Sequence, residues 1–272
     1  MLSSEFPRRL LEICLMSILL VAISSSLATG AATERDELIA QMCKTAVFVI
    51  SRGGQGTGTV VGWPIAKGSQ KGLIFIVTAR HLTESVDMIS GKATPVDTLT
   101  VKFPLKAGGT IDKECAVVFR HPILDWALLG LLGTPLRADR LDVIPMNLSV
   151  PASASEVRAG QDAFIVGFPF GIGFSDIRPN PVVQSGIIAY VDTVAALVLL
   201  DIQVNPGSSG SPVFVRTDVG IAKLLGVAFE YQPGNDWVLR INPSGHPYWA
   251  NVNTGLARVV TLFELARYAQ PH

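Results

Sequence analysis

The sequence predicts an all-β fold, either a barrel or a sandwich. Short apolar segments rich in Val, Leu and Ile recur along the chain and are separated by turns that contain Gly or Pro. These segments do not alternate with helical ones, as parallel β-α-β units would require. The chain has 272 residues, of which 49% are hydrophobic and 16% charged. It can therefore build one large β domain or two small ones.

The charge balance excludes several classes of partner. The formal net charge is zero, from 22 basic and 22 acidic residues, and there is no basic stretch or acidic tail. We therefore expect no nucleic-acid partner. The sequence also has no Cys/His cluster with zinc spacing and no carboxylate cluster typical of calcium sites. We accordingly expect no metal and no cofactor.

The N-terminal segment has the layout of a secretory signal peptide. Arg8 and Arg9 precede an apolar run over residues 10–23, and the small-x-small site 26–28 follows it. The pattern predicts a signal peptide over residues 1–28 and an exported protein, periplasmic or secreted. The alternative is an uncleaved anchor, although the run is short for a membrane span and contains Glu12. Membrane contact is expected only in that case.

Two cysteines remain once the signal peptide, with Cys14, is removed. Cys43 and Cys115 could form one disulfide in an exported protein. They could equally stay as two buried free thiols. The sequence leaves both possibilities open.

The predicted strands fall into two sets separated by a connection. The first set occupies residues 33–132, the connection residues 133–160, and the second set residues 161–254. The glycine-rich stretch 52–58 lacks the G-x-G-x-x-G spacing, and no helix follows it. We interpret it as a hairpin rather than a dinucleotide loop. Residues 255–272 are predicted to hold a C-terminal helix, over 260–268, and a tail.

One loop of the second set combines serines and glycines. Residues 205–212 read NPGSSGSP and lie between two predicted strands. Gly207 and Gly210 lie on either side of Ser209 and permit backbone angles that other residues avoid. Such a loop can expose a hydroxyl and direct several N–H groups into one small volume, as a nucleophile with an anion site requires. The alternative is a plain Ser/Gly hairpin turn.

A serine nucleophile needs a base, usually a histidine oriented by a carboxylate. Of the four histidines, His81 ends a buried strand, where a rigid scaffold can hold its ring. Asp125 begins an apolar segment, where an unpaired carboxylate would be costly. His121 is followed by Pro122, and we interpret that pair as a structural turn.

Three sequence blocks resemble the catalytic blocks of trypsin-like serine proteases of the chymotrypsin fold. They are TARH at 78–81, DWALL at 125–129 and NPGSSGSP at 205–212. Their order and spacing are most similar to the bacterial high-temperature-requirement and glutamyl-endopeptidase branches, without a PDZ domain. The resemblance implies two antiparallel six-stranded β-barrels with a short C-terminal helix. It also implies an exported endopeptidase that cleaves polypeptide substrates through an acyl-enzyme.

The resemblance assigns a role to each residue of these blocks. Ser209 is the implied nucleophile, His81 the general base and then acid, and Asp125 the orienting carboxylate. The N–H groups of Gly207 and Ser209 are the implied oxyanion hole.

The blocks also depart from the family pattern. Arg80 stands where the family usually has a small residue, and Trp126 where it has Leu or Ile. Because either could distort the histidine, a second hypothesis is a catalytically degenerate protease fold that binds peptides or a partner. A third is an esterase that uses the same serine.

The resemblance further implies a primary specificity pocket. Gln203 is expected at its base, with Val227, Ala228 and Phe229 as walls. A neutral polar base and apolar walls predict cleavage after small or medium apolar residues such as Val, Ala or Leu. The sequence makes no prediction about the oligomeric state.

Overall fold

The computed structural model describes residues 35–64, 72–87, 89–133, 139–147, 152–177, 179–216, 222–241 and 247–261. The predicted signal peptide and residues 262–272 of the predicted C-terminal segment lie outside these ranges. Residues 35–43 are helical. Within the described ranges, no helix has both the length and the apolar character that a membrane span requires.

Short strands dominate the described chain, as the apolar segments between Gly and Pro turns predict. The strands are β1 Ala46–Ser51, β2 Gly54–Pro64, β3 Gly72–Thr78, β4 Glu84–Val86, β5 Ala93–Pro95, β6 Thr98–Pro104, β7 Thr110–Arg120, β8 Ala127–Leu131, β9 Met146–Asn147, β10 Asp162–Gly167, β11 Val182–Asp192, β12 Leu197–Asp201, β13 Pro212–Arg216, β14 Ala222–Ile241 and β15 Pro247–Thr261. Single-turn 3₁₀ helices cover Arg80–Thr83, Ala154–Glu156 and Pro169–Gly171.

The first barrel has the strand order β1-β6-β7-β8-β3-β2 and is closed by antiparallel pairing of β1 with β2. Strand β9 adds to β2 in parallel outside the ring. Alternation along each strand fills the interior: in β6, Leu99, Val101 and Phe103 are buried and the residues between them are not. The glycine-rich stretch 52–58 forms the β1–β2 hairpin, with Ser51 paired to Gly54.

The second barrel has the order β10-β11-β12-β15-β14-β13 and is closed by pairing of β10 with β13. Buried aliphatic side chains from its strands fill it, among them Ile165, Leu200, Val213, Leu225 and Val259. A closed ring leaves no long unpaired strand edge. The predicted fold class, two antiparallel six-stranded barrels, is confirmed.

The end of the second barrel differs from the sequence prediction. The helix predicted from Val260 is wrong at its start, because Val260 and Thr261 continue strand β15. This strand is needed between β12 and β14 to close the ring. Its alternating burial, with Ala257 and Val259 fully buried and Arg258 between them half-buried, is the period of a strand. Barrel closure here overrides the local helical pattern.

Cys43 and Cys115 are free thiols. The sequence left open whether they form a disulfide, and in the structure they do not. Cys115 is buried on β7, and burial raises its pKa to about 12. Burial also raises the pKa of the half-buried Cys43. A raised thiol pKa keeps the group neutral at physiological pH, so neither sulfur has the thiolate character of a reactive cysteine.

Candidate active site

His81 lies on a 3₁₀ helix, Arg80–Thr83, that directly follows strand β3. Leu82 and Thr83 are buried and anchor this turn, whereas His81 is exposed. The turn ends where the N–H of Glu84 donates to the carbonyl of His81. The imidazole therefore stands at the surface on a backbone that is fixed on both sides.

Asp125 lies in the turn between β7 and β8. The imidazole of His121 shapes this turn, because its Nδ1 accepts the N–H of Ile123 at 3.2 Å and of Leu124 at 2.7 Å. The N–H of His121 donates to the carbonyl of Trp126 at 3.0 Å. The Trp126 ring is buried beneath the turn, 5.3 Å from the His121 ring. His121 thus has the structural position that its His-Pro sequence indicated.

Two hydrogen bonds join His81 to Asp125. The backbone N–H of His81 donates to Oδ1 at 2.8 Å, and Nδ1 lies 2.7 Å from Oδ2. Burial alone would raise the pKa of Asp125, but hydrogen bonds from His81, the charge of His81 and the nearby Arg80 hold it below its usual value. The carboxylate is therefore ionised at neutral pH. Because Nδ1 faces Asp125, Nε2 is the ring nitrogen left to exchange a proton with a substrate group.

The serine loop makes one of its serines accessible. Ser208 is 2% and Ser211 0% exposed, whereas Ser209 is partly exposed. The hydroxyl of Ser209 donates to the carbonyl of Phe229 at 3.1 Å, and within the described chain it makes no hydrogen bond to His81. The Ser209 hydroxyl is thus accessible and held by a backbone acceptor.

Two glycines give the serine loop its shape. Gly207 has φ +94° and Gly210 φ +85°, both in the left-handed region that favours glycine. A β-carbon on Gly207 would lie 2.5 Å from the carbonyl oxygen of Phe168. Both the backbone angles and the close approach therefore require glycine.

Two backbone amides of the serine loop are candidate donors to an anionic oxygen. No hydrogen bond among the described residues uses the N–H of Gly207 or of Ser209. The carbonyl of Pro206 accepts the N–H of Phe170 at 2.5 Å. Because the C=O and N–H of a trans peptide point in opposite directions, this bond turns the N–H of Gly207 away from Phe170. The loop thus has donors available for an anionic oxygen.

Buried threonines of the first barrel hold the serine loop in place. The N–H of Thr57 donates to the carbonyl of Ser209 at 2.8 Å, and its hydroxyl donates to the carbonyl of Gly207 at 2.9 Å. The hydroxyl of Thr59 donates to the carbonyl of Gly210 at 3.0 Å. The prediction of a hairpin over residues 52–58 did not include this role. The available signal was a pair of alternating threonines in a glycine-rich strand.

The predicted triad residues line one cavity of about 640 Å³. His81, Asp125 and Ser209 all contribute to its wall. The structure therefore brings together three residues that are far apart in the sequence.

The predicted pocket residues divide into two groups. Ala228 and Phe229 line the cavity, whereas Gln203 and Val227 are not among its lining residues. Gln203 is exposed and Val227 fully buried. A register shift of the β14–β15 ladder between residues 228 and 230 breaks the strand alternation, so three consecutive residues contribute to the cavity wall.

Two charged residues of the wall were not predicted. Arg258 donates through Nη1 to Oε2 of Glu230 at 2.9 Å, and its guanidinium lies 5.1 Å from the centre of the Phe229 ring. The opposite charges neutralise each other in the cavity wall. Arg258 lies in residues 255–272, which were predicted as a helix and tail, so the sequence did not predict that it lines the cavity. Within the described chain, no group of three or more His, Cys, Asp or Glu side chains could hold a metal ion.

Comparison with solved structures finds the same fold in several proteins, among them two described as proteases. The MamO protease domain from Magnetospirillum magneticum, in its apo form, aligns with 85% of this chain and 98% of its own at a TM-score of 0.51 and 16% identity. Deg5 aligns over 74% of this chain and 86% of its own at a TM-score of 0.51 and 19% identity. The HtrA-type protease AlgW with tripeptide aligns over 85% of this chain and 60% of its own, at a TM-score of 0.51 and 18% identity.

The sequence itself matches a protein family over most of the described barrels. No curated protein matches the chain. Residues 56–222, however, match the family described as trypsin-like peptidase domain. This segment contains the paired His81 and Asp125 and the accessible Ser209. The chain therefore belongs to the trypsin-like peptidase domain family and is a trypsin-like serine-type endopeptidase.

Proposed function

We propose that the protein cleaves peptide bonds through a triad of Ser209, His81 and Asp125 and an acyl-enzyme intermediate. The observation that carries this proposal is the double hydrogen bond between His81 and Asp125, which faces the same cavity as the accessible Ser209. Asp125 fixes the ring orientation and the tautomer with the proton on Nδ1. Nε2 is then the base.

In the first half-reaction, Oγ of Ser209 attacks the carbonyl carbon of the substrate while Nε2 of His81 takes the hydroxyl proton. The negative charge on the carbonyl oxygen is stabilised by the N–H groups of Gly207 and Ser209, which have no other acceptor among the described residues. His81 then gives its proton to the amide nitrogen, and the C–N bond breaks. In the second half-reaction, Nε2 of His81 takes a proton from water while the water oxygen attacks the ester carbonyl. His81 then returns that proton to Oγ of Ser209 as the acyl C–O bond breaks, which releases the carboxylic acid product.

The hydroxyl of Ser209 must change its partner before it attacks. It donates to the carbonyl of Phe229, and catalysis requires that this acceptor be exchanged for Nε2 of His81. Hydrogen bonds of catalytic groups are often incomplete before substrate binds, so this arrangement is compatible with catalysis.

The arrangement favours an active enzyme over a degenerate, peptide-binding protease fold. That alternative depended on distortion of His81 by Arg80 or Trp126. The side chain of Arg80 is bonded to the carbonyls of residues 121 and 122, and the ring of Trp126 is buried beneath the turn. Neither side chain separates His81 from Asp125.

We also propose that the protein is exported, on the basis of the arginines, apolar run and small-x-small site at its N-terminus. N-terminal sequencing of the protein from its native cells should find Thr29 as the first residue, because cleavage is expected after Ala28. A retained apolar run in the membrane fraction would support an uncleaved anchor instead.

The cavity supports a preference for small or medium apolar residues before the cleaved bond. Its wall includes Ala195, Leu197, Val204, Ala228 and Phe229. Four charged residues line it, and each has a partner: Glu230 is paired with Arg258, Asp125 with His81, and Arg80 with the carbonyls of His121 and Pro122. None of these charges is left to select a substrate of opposite sign.

The nucleophile assignment is tested by three serine variants. Ser209→Ala should lower kcat by about 10⁴-fold or more while the protein stays folded. Ser208→Ala and Ser211→Ala should retain clear activity, because both side chains are buried and the Ser208 hydroxyl accepts the N–H of Asn205. Turnover of a peptide substrate and labelling by a fluorophosphonate probe measure the activity of each variant. If Ser208→Ala were inactive and Ser209→Ala active, the assignment would be wrong, and turnover of esters without peptides would indicate an esterase.

The specificity is tested by a peptide library with the wild-type protein and Glu230→Gln. The wild type should cleave mainly after Val, Ala or Leu. Removal of the Glu230 charge leaves Arg258 uncompensated, so cleavage after Glu relative to Gln should rise by about tenfold. Glu114→Gln, an exposed carboxylate on β7, is the matched control and should leave the profile unchanged. Dominant wild-type cleavage after Arg, Lys or Glu would contradict this specificity.

A further inference from the structure

Arg80 links the helix that carries His81 to the turn that carries Asp125. It precedes His81 on the 3₁₀ helix, and its Nη1 donates to the carbonyls of His121 and Pro122, at 3.1 Å in both cases. Its Nε lies 3.6 Å from Oε1 of Glu84. The guanidinium thus bonds two consecutive carbonyls of the turn that presents Asp125.

Arg120 makes the link in the opposite direction. It is the last residue of β7, directly before the Asp125 turn, and its Nε donates to the hydroxyl of Thr83 at 2.9 Å. Its Nη2 donates to the carbonyl of Val96 at 2.8 Å. The Thr83 hydroxyl in turn donates to the carbonyl of Arg80 at 2.7 Å. Thr83 is buried, so this connection runs through the interior beneath the 3₁₀ helix.

These hydrogen bonds fix the position of His81 relative to Asp125, whose side chains must stay at hydrogen-bond distance. The His81–Asp125 pair depends on one turn and one short helix, neither of which belongs to the barrel ladders. Arginine presents several donors in a rigid fork, and its charge strengthens each bond. Here Arg80 reaches two carbonyls of the turn through Nη1, and Arg120 reaches the Thr83 hydroxyl of the helix through Nε. These bonds from opposite sides restrict movement of the turn against the helix. A displacement of about 1 Å at a catalytic group can cost roughly a hundredfold in rate.

We propose that Arg80 and Arg120 are positioning residues that form a reciprocal clamp, which holds His81 and Asp125 in register for catalysis. This inference rests on the proposed function of the pair. It gives a role to Arg80, which the sequence comparison left as a departure from the pattern that the resemblance implies. Neither arginine needs to contact the substrate for this role.

The clamp is tested by Arg80→Met and Arg120→Met, with Arg52→Met, an exposed arginine of the β1–β2 turn, as the matched control. Each clamp variant should lower kcat by about ten- to a hundredfold with KM nearly unchanged. Arg80→Lys should restore part of the rate, since an ammonium group can still donate to the two carbonyls. The control should behave as wild type in every measurement.

Proton NMR provides a readout that a loss of stability would not move. The proton between Nδ1 of His81 and the Asp125 carboxylate should give a low-field resonance in the wild type. It should shift upfield or broaden in the folded clamp variants. Thermal unfolding measures their stability, and if Arg80→Met fails to fold, Arg80→Lys and Arg120→Lys carry the same test.

A double-mutant cycle with Asp125→Asn completes the test. Without the carboxylate the clamp has little to position, so Arg80→Met should cost less than about threefold in that background. Full additivity of the two effects, or a folded Arg80→Met with wild-type kcat and an unmoved resonance, would overturn the clamp. A wild type that neither turns over peptides nor reacts with a fluorophosphonate would instead refute the proposed hydrolysis. In that case the response of the resonance to Arg80→Met would still decide whether the clamp exists.

Discussion

The candidate site depends on buried hydrogen bonds that fasten the serine loop of the second barrel to strand β2 of the first. Thr57 makes two of them, because its N–H and its hydroxyl donate to the carbonyls of Ser209 and Gly207. Its own carbonyl accepts the hydroxyl of Thr78 on β3 at 2.8 Å, which fixes Thr57 within the first barrel. Thr57, Thr59 and Thr78 are fully buried. A buried polar group that loses its partner costs about 1–3 kcal/mol, so the loop cannot shift without breaking several such bonds together.

This attachment explains how residues of two barrels can form one site. The first barrel supplies His81 and Asp125 at the ends of β3 and β7, and the second supplies Ser209 between β12 and β13. Since β2 lies beside β3 in the first barrel, the bonds from Thr57 and Thr59 relate the serine loop directly to the strand that leads into His81. Within the first barrel, the carboxylate of Asp125 then orients the ring of His81. Within the second barrel, Gly207 and Gly210 give the serine loop its backbone conformation.

The sequence was sufficient to predict the site residues that lie within short contiguous blocks. The blocks at 78–81, 125–129 and 205–212 pointed to His81, Asp125 and Ser209, and the fold brings these three residues to one cavity wall. Features formed by contacts between distant residues could not be predicted. Arg258 enters the cavity only because β15 closes the barrel, and Glu230 only because the β14–β15 ladder shifts register beside Ala228. The bonds of Thr57 to the serine loop join residues about 150 apart and have no local pattern.

The most direct test of this account is the crystal structure of the protein treated with a peptide boronate. If the loop is held ready by the first barrel, boron will be bonded to Oγ of Ser209, and one boronate oxygen will accept the N–H groups of Gly207 and Ser209. The bonds from Thr57 to the loop and from His81 to Asp125 will be unchanged. A boronate bonded to another residue, or a Gly207 N–H turned away from the boronate oxygen, would contradict the account.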